Sequence, residues 1–374
     1  MTQTLNALTI QPTARLPRLR VLVNGTASPA AVSFSVTNNN WYQSDTFEVT
    51  FADNADPALS ASWWADQQIV QLDVRASLDG GKSWTSLIVG NVDDIQWSPD
   101  THLIRATGRD LSSLLIEAPT KEQFVNQTAS QVATTLAGRH GLTPVVTATT
   151  AQIGRYFEID HDHTTLGRGH YTTTEWDLLT FLAKVEGFDC YVSGQSLYFQ
   201  PPTATSALPY AVAVVLSPSY SANVTSLELQ HHKTLARAIT VEVRSFTSKT
   251  GKTVTATATS GGTGAANKYD DATRTQVYRY IFPNLSQQMA QQRATALLTQ
   301  LKQHERSLTF SAPGDLTLTP RSVVQLSGTG TAFDQTYYAD AVTREMSFDG
   351  AFMMQVGAKN RDQRGQVSAS GAQS

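Results

Sequence analysis

The chain has little charge and almost no sulfur. Of its 374 residues only 16% are Asp, Glu, Lys or Arg, against roughly a quarter in an average soluble domain, and Ser and Thr stand where Lys and Glu ordinarily face solvent. A single cysteine, Cys190, excludes an internal disulfide framework. The formal net charge of −3 offers no basic stripe for wrapping nucleic acid. No apolar run approaches the ~20 residues that a membrane helix needs. The start, Met1 to Ala7, lacks the basic residues and apolar core of a secretory signal. We therefore expect synthesis and folding in a reducing cytosol.

What remains reads as strands separated by tight turns. Val32, Phe34 and Val36, and again Phe47, Val49 and Phe51, alternate with polar residues at the period of a half-buried strand. Ile69 to Val74 and Trp84 to Val89 flank Asp79-Gly80-Gly81, and Val92 to Trp97 and Leu103 to Thr107 flank Ser98-Pro99-Asp100. Both patterns predict hairpins. After a polar arm at 1–18, residues 19–118 are read as β throughout and as a first small antiparallel barrel.

Helical spacing starts at Thr128, a cap residue ahead of Val132, Leu136 and Ala137, with Gly141 as the stop. Thr174 opens a second helix, with Asp177 at the capping-box position, Leu178, Phe181, Leu182 and Val185 on its stripe and Gly187 at its end. Each helix leads into short strands, Pro144 to Val146, then Tyr191 to Val192 and Leu197 to Phe199. Residues 119–205 thus read as an α+β insert closed by Pro201 and Pro202. Strands resume at Val224 and Ile239, Ser260 to Ala266 forms a flexible tip, and Pro283 and Asn284 precede a third helix near 284–304 with Ala290, Ala294, Leu297, Leu298 and Leu301 as its stripe. Residues 206–360 are read as a second barrel carrying that helix, and 361–374 as a disordered tail. The expected fold class is mainly β with an α+β insert and two small antiparallel barrels.

Several residues look chemical. His161 and His163, with His170 beyond them, have the alternation of a metal-binding strand, but the flanking Thr, Gly and Arg residues favour a solvated loop. His231-His232 reads as surface. Asp93-Asp94 and Asp270-Asp271 lack the spacing of a calcium loop and read as solvated turns. No Gly-x-Ser-x-Gly elbow is present. Gly328-Thr329-Gly330 precedes strands instead of the helix that a phosphate loop requires. Cys190 sits among apolar residues as a small hydrophobe, and Trp63-Trp64 and Trp41-Tyr42 read as buried or as subunit contacts before they read as a sugar platform. No catalytic, cofactor-binding or metal residue is assigned.

The C-terminal fifty residues carry the most particular order. Turns at Pro313-Gly314-Asp315 and Thr319-Pro320-Arg321 bracket strands at Leu316 to Leu318 and Val323 to Leu326. The Gly328-Thr329-Gly330-Thr331 loop follows, and then a hairpin that turns at Asp349-Gly350. Upstream, Gly108-Arg109-Asp110-Leu111, with Leu114 and Leu115 behind it, closes the first β block, and Asp110 is placed to cap a short helix. This order resembles the baseplate hub proteins of phage tails, most nearly the contractile-tail hubs of the bacteriophage Mu type. Late-control D proteins and the hub part of type VI secretion spikes are relatives of that family.

The resemblance implies barrels related to the tail-tube fold and a homotrimer whose paired barrels form a pseudo-sixfold ring. Such a ring adapts a hexameric tail tube protein to a trimeric central spike protein and forms part of the channel for DNA ejection. It also implies contacts with tape-measure and baseplate wedge proteins, and assembly in the host cytoplasm into the virion tail baseplate. It implies no enzymatic activity, no cofactor, no specific nucleic-acid binding and no membrane span. A tail-associated cell-wall hydrolase and a carbohydrate-binding adhesin are the alternatives.

Overall fold

The computed structural model describes residues 15–40, 42–120, 124, 127–150, 174–202, 209–233, 238–247, 251–260, 276–282, 285, 287–302, 305–347 and 352–360. The first strands are β1 (Arg18–Val23), β2 (Thr26–Ser28), β3 (Ala31–Asn39) and β4 (Thr46–Ala52). Phe34 and Val36 on β3, and Phe47, Val49 and Phe51 on β4, are buried as their period-two spacing predicts. The pattern read as uninterrupted β is then broken by a short helix, α1 (Ala61–Asp66). Ser60 caps it by accepting the Trp63 N–H, and Asp53 accepts the Ala61 N–H, so local capping overrides the strand pattern here.

Next come β5 (Gln71–Ser77), β6 (Thr85–Ser98) and β7 (Leu103–Asp110). The two stretches read separately at Trp84 to Val89 and Val92 to Trp97 are one long strand, β6, interrupted only by a bulge at Asp93.

α2 (Ser113–Glu117) falls at the end of the stretch read as the first barrel but packs with the insert, which holds α3 (Ala129–Arg139), β8 (Thr143–Val146), α4 (Glu175–Glu186), β9 (Asp189–Ser193) and β10 (Ser196–Gln200). Thr128 and Gln131 close a reciprocal capping box on α3. Thr174 accepts the Asp177 N–H at 3.1 Å, and Gly187 ends α4 at φ 71°, a left-handed position suited to glycine. Leu115, Val132, Leu136, Leu179, Leu197 and Phe199 form this unit's own core. Asp110 does not cap α2. It lies two residues before the cap position and accepts the Ser112 N–H and hydroxyl, while the Ser112 side chain makes no cap bond.

The second β region begins with β11 (Tyr210–Val215), β12 (Ser221–Ala222) and β13 (Ser226–His231). A separate sheet follows, made of β14 (Ile239–Thr247), β15 (Lys252–Ser260) and β16 (Gln276–Ile281), and it is covered by α5 (Gln287–Lys302). Ala290 and Ala294 of α5 meet Ile239, Val241 and Val243 in a fourth core. The chain then returns to the main sheet as β17 (Arg306–Pro313), β18 (Val323–Ser327), β19 (Thr336–Ser347) and β20 (Met353–Lys359). Leu316 to Leu318, expected as a strand, is a loop. Asp315 accepts the Thr317 N–H and hydroxyl, and the buried Arg344 guanidinium takes the carbonyls of Asp315 and Leu318, so no ladder is needed to satisfy them.

The main sheet has 14 strands, and its two halves repeat one another. The first runs β2-β1-β5-β6-β7-β4-β3 and the second β12-β11-β18-β19-β20-β17-β13, which is the same permutation of chain order. In both halves the five strands from β5 or β18 to β3 or β13 are antiparallel throughout. The halves differ at one pairing, since β11 lies parallel to β18 whereas β1 is antiparallel to β5. Among the described pairings neither half closes into a barrel; the mainly β class with an α+β insert stands.

Superposing the registers matches residue to residue. Both long strands carry their bulge at an aspartate, Asp93 in β6 and Asp340 in β19. Each of these aspartates pairs with the basic residue of the neighbouring strand, Arg109 at 2.6 Å and Lys359 at 2.9 Å. Gly108-Arg109-Asp110 therefore corresponds to Ala358-Lys359-Asn360. At this position the Asp110 N–H meets the Asp45 carbonyl and the Asn360 N–H meets the Arg306 carbonyl.

Candidate assembly site

The two halves join at one pair of strands. Beyond its bulge β19 hydrogen-bonds to β3, with Val342 opposite Asn38, Arg344 opposite Val36 and Met346 opposite Phe34. Met346, with Phe352 just before β20, enters the core of the first half. The joint is lined with polar residues. Asp45 accepts the Asn39 N–H at 2.7 Å and the Asn38 amide at 2.8 Å. Arg344 donates to the Asn38 side chain at 3.2 Å as well as to the two loop carbonyls. Asn40 donates to the carbonyls of Pro320 and Ala339.

The insert is tied to the same spot. Tyr42 donates to the Phe188 carbonyl at 2.9 Å, the Trp176 indole donates to the Tyr42 carbonyl at 3.0 Å, and the Arg321 guanidinium lies 3.2 Å from the Tyr191 ring centre. All three units thus meet at residues 38–45.

Burial sets the protonation of this joint. It pushes the Asp110 carboxyl up to about 7, with the nearby Asp45 charge adding to the effect and the Ser112 bonds opposing it. Asp45 is raised by burial as well, against the bonds from Asn39 and Asn38 and the charges of Arg321 and Arg344. Burial lowers Arg344, which the charges of Asp315 and Asp45 oppose. Buried polar networks of this kind fix one arrangement of packed units, because a partner removed leaves a costly orphan.

Away from the joint each half keeps an open edge. Beyond Asn91, β6 pairs only with β7, and β13 pairs only with β17 among the described residues. Ile95 and Trp97 lie on the free part of β6, 37% and 50% exposed, and the Trp97 indole donates to Asp53 at 3.2 Å. Beside β13, Val214, Leu216, Tyr220, Leu227, Leu229 and Phe333 line an open apolar groove.

His161, His163, His170, Trp41, Asp270, Asp271, Asn284, Gly350 and the two termini lie outside the described residues. Asp93 is the bulge residue paired with Arg109, a role its neighbours in sequence did not reveal. His232 is exposed, but His231 is turned inward: its Nε2 lies 3.6 Å from Glu305 and its ring meets Phe333 edge-on. Trp64 is buried against Phe51, and Trp63 packs edge-on to Trp64, so the pair offers no flat platform. Cys190 is buried, and its thiol is held neutral by burial and the charge of Asp189.

In the Gly328 loop the Asp334 carboxylate accepts the N–H groups of Thr329 and Gly330, so the donors an anion would need are already taken. A Cβ on Gly328 would lie 1.8 Å from the Val214 carbonyl oxygen, so the glycine is there for close packing on β11. Among the described residues no group of three or more His, Cys, Asp or Glu is placed to hold a metal ion, and no helix is long and apolar enough to cross a membrane.

Residues 174–335 match the family described as a putative phage tail protein. The fold resembles the tail protein from Neisseria meningitidis MC58, at 14% identity and a TM-score of 0.67 over 92% of this chain and 96% of that one. It also resembles the 43 kDa tail protein of prophage MuSo2 from Shewanella oneidensis, at 14% identity and a TM-score of 0.62 over 93% and 98% of the two chains. A component of the type VI secretion system of E. coli, described as structurally similar to the T4 bacteriophage tail proteins gp27 and gp5, aligns at 12% identity and a TM-score of 0.52 over 92% of this chain and 77% of that one. No curated protein matches the chain in sequence. The likeness to tail proteins drawn from the C-terminal hairpin and Gly108-Arg109-Asp110 is borne out, and at these identities it speaks for the fold.

Proposed function

We propose that the chain is a structural protein of a tail baseplate and forms its central hub. In this reading three copies close into a ring in the virion. One face of the ring receives the tail tube protein and the other the central spike protein, with the tape-measure protein and DNA passing through the middle and wedge proteins outside. The observation that carries it is the internal duplication. Two units of one strand order in each chain give a trimer six similar units, the number needed to meet a hexameric tube while keeping threefold symmetry toward a spike. The fold shared with tail proteins over most of the chain, and with a type VI secretion component likened to gp27 and gp5, points the same way.

Sedimentation or native mass spectrometry of purified protein tests this. A closed trimer with a central hole, binding tube and spike proteins of the same tail, is the expected result. A monomer at every concentration, with no ring in micrographs even when spike protein is supplied, overturns the reading. As a structural protein it should leave peptidoglycan intact and retain no stoichiometric zinc after dialysis; cell-wall cleavage lost on a single Asp or His substitution would refute that.

A further inference from the structure

The repeat inside the chain specifies how one copy meets the next. In the second half, the stretch of β19 past the bulge is covered by β3, and Val342 and Arg344 are 0% and 3% exposed. The equivalent stretch of the first half, Asp94 to Ser98 of β6, pairs with β7 on one side and, among the described residues, with no strand on the other; the residues equivalent to Val342 and Arg344 are Ile95 and Trp97, both exposed. The equivalent of the covering strand β3 is β13, whose outer edge is also unpaired among the described residues. Phe34 and Val36 of β3 are buried under the β19 contact, whereas their equivalents Leu227 and Leu229 stay half-exposed in the apolar groove. Each half therefore lacks the contact that the other half makes within the chain.

We propose that the free edge of β6 in one copy pairs antiparallel with β13 of a second copy, in the register of β19 on β3. This inference rests on reading the chain as a ring-forming tail component, and it names the strands that close the ring. Carrying over the intrachain register sets Trp97 opposite Leu229, Pro99 opposite Leu227, Ile95 opposite His231 and Asp94 opposite His232. Trp97 and Pro99 then enter the groove beside Phe333, as Met346 enters the core of the first half. The acidic Asp93 and Asp94 come to lie against the His232 and Lys233 end of β13, all of them exposed in the single chain. A strand edge of one unit meeting the opposite edge of the next is a head-to-tail contact, which closes into a ring when the rotation per unit allows. It also removes the two open edges that would otherwise invite uncontrolled pairing.

The test uses the full chain. In the intrachain joint Thr37 and Thr343 face each other with their hydroxyls 3.0 Å apart. Their equivalents across the proposed contact are Gln230 and Gln96. A chain carrying Gln96→Cys and Gln230→Cys, mildly oxidised, should give disulfide-linked copies ending in one closed species, while Gln96→Cys with Glu228→Cys, two residues out of register, should give few. Trp97→Asp should leave the fold intact by circular dichroism and raise the dissociation constant roughly thirty-fold, as loss of a central aromatic anchor does. A ring that forms normally with Trp97→Asp and yields no in-register cross-link overturns this pairing and leaves the tail reading standing. A wild-type chain that never associates overturns both.

Discussion

The two β units share a strand order and a bulged aspartate, yet one has finished its core within the chain and the other has not. In the second unit the far end of β19 is clamped by β3 and by the Arg344 network. In the first, the same stretch of β6 leaves Ile95 and Trp97 part-exposed with no strand over them among the described residues. The difference shows that the fold of a repeat does not fix its stability or its surface; the neighbour on its open edge does. The pairing at Gly108 shows the same on a smaller scale. Phe47 stands opposite Gly108 in the first unit, where Leu308 stands opposite Ala358 in the second. A larger ring on one strand takes the room that a methyl group fills on the other.

The sharpest way to test this comparison is to truncate the same position in both units. Arg344→Ala removes a buried guanidinium and leaves the carbonyls of Asp315 and Leu318 without their donor, so a loss of about 3–5 kcal/mol in urea denaturation is expected. Trp97→Ala, its counterpart, gives up only a half-exposed indole and its bond to Asp53, so the isolated chain should lose no more than ~1 kcal/mol. Equal costs would show that the two edges are not distinguished in the way described.

Next in size, Gly108→Ala puts a Cβ 2.1 Å from the Asn91 carbonyl oxygen and 2.5 Å from the Phe47 ring, and overpacking of this kind costs about 1–3 kcal/mol. Adding Phe47→Leu brings in the pair of the second unit and should restore part of the loss. A double-mutant cycle reads that coupling directly, and strict additivity would argue against the size exchange.

Asp110→Asn likewise installs the residue of the second unit, Asn360. The Asp110 carboxyl is pushed up to about 7 by burial and by Asp45, above the ~3.9 of an unfolded chain. The native state thus binds this proton more tightly. Its contribution is fully present below pH ~4 and is lost as pH rises through about 7. Wild-type denaturation midpoints should fall between about pH 4 and 7 on this account and level off above it. The variant should lose most of that slope and be more stable at pH 8 by on the order of 1–2 kcal/mol, with the remaining slope due to Asp45. A slope unchanged by the substitution would place the titration elsewhere.

The smallest effect is expected at the bulge ion pairs. Asp93→Asn and Asp340→Asn break part-exposed pairs with Arg109 and Lys359, and each should cost less than ~1 kcal/mol. A much larger cost at one of them would mean that the two bulges do different work.

Local chemistry made much of this molecule legible from residues alone. The alternation of Phe47, Val49 and Phe51, the turn at Asp79-Gly80-Gly81 and the caps at Thr128, Thr174 and Gly187 each depend on neighbours close in sequence, and the elements lie where those neighbours indicate. Where a side chain from afar decided the outcome, the pattern misled. Leu316 to Leu318 alternates like a strand, but Arg344 holds its carbonyls in a loop.

The assembly surface and the repeat were out of reach for a related reason. Asp93 and Asp340 correspond through hydrogen-bond register, while the residues around them, Ile95 against Val342 or Trp97 against Arg344, have diverged with their surroundings. A period-two pattern says which face of a strand is buried, whereas backbone N–H and C=O groups along its edge are the same in every sequence. The chain's own residues thus determined strands, turns and helix ends; which edge found a partner, and which stayed open, was decided by the tertiary structure.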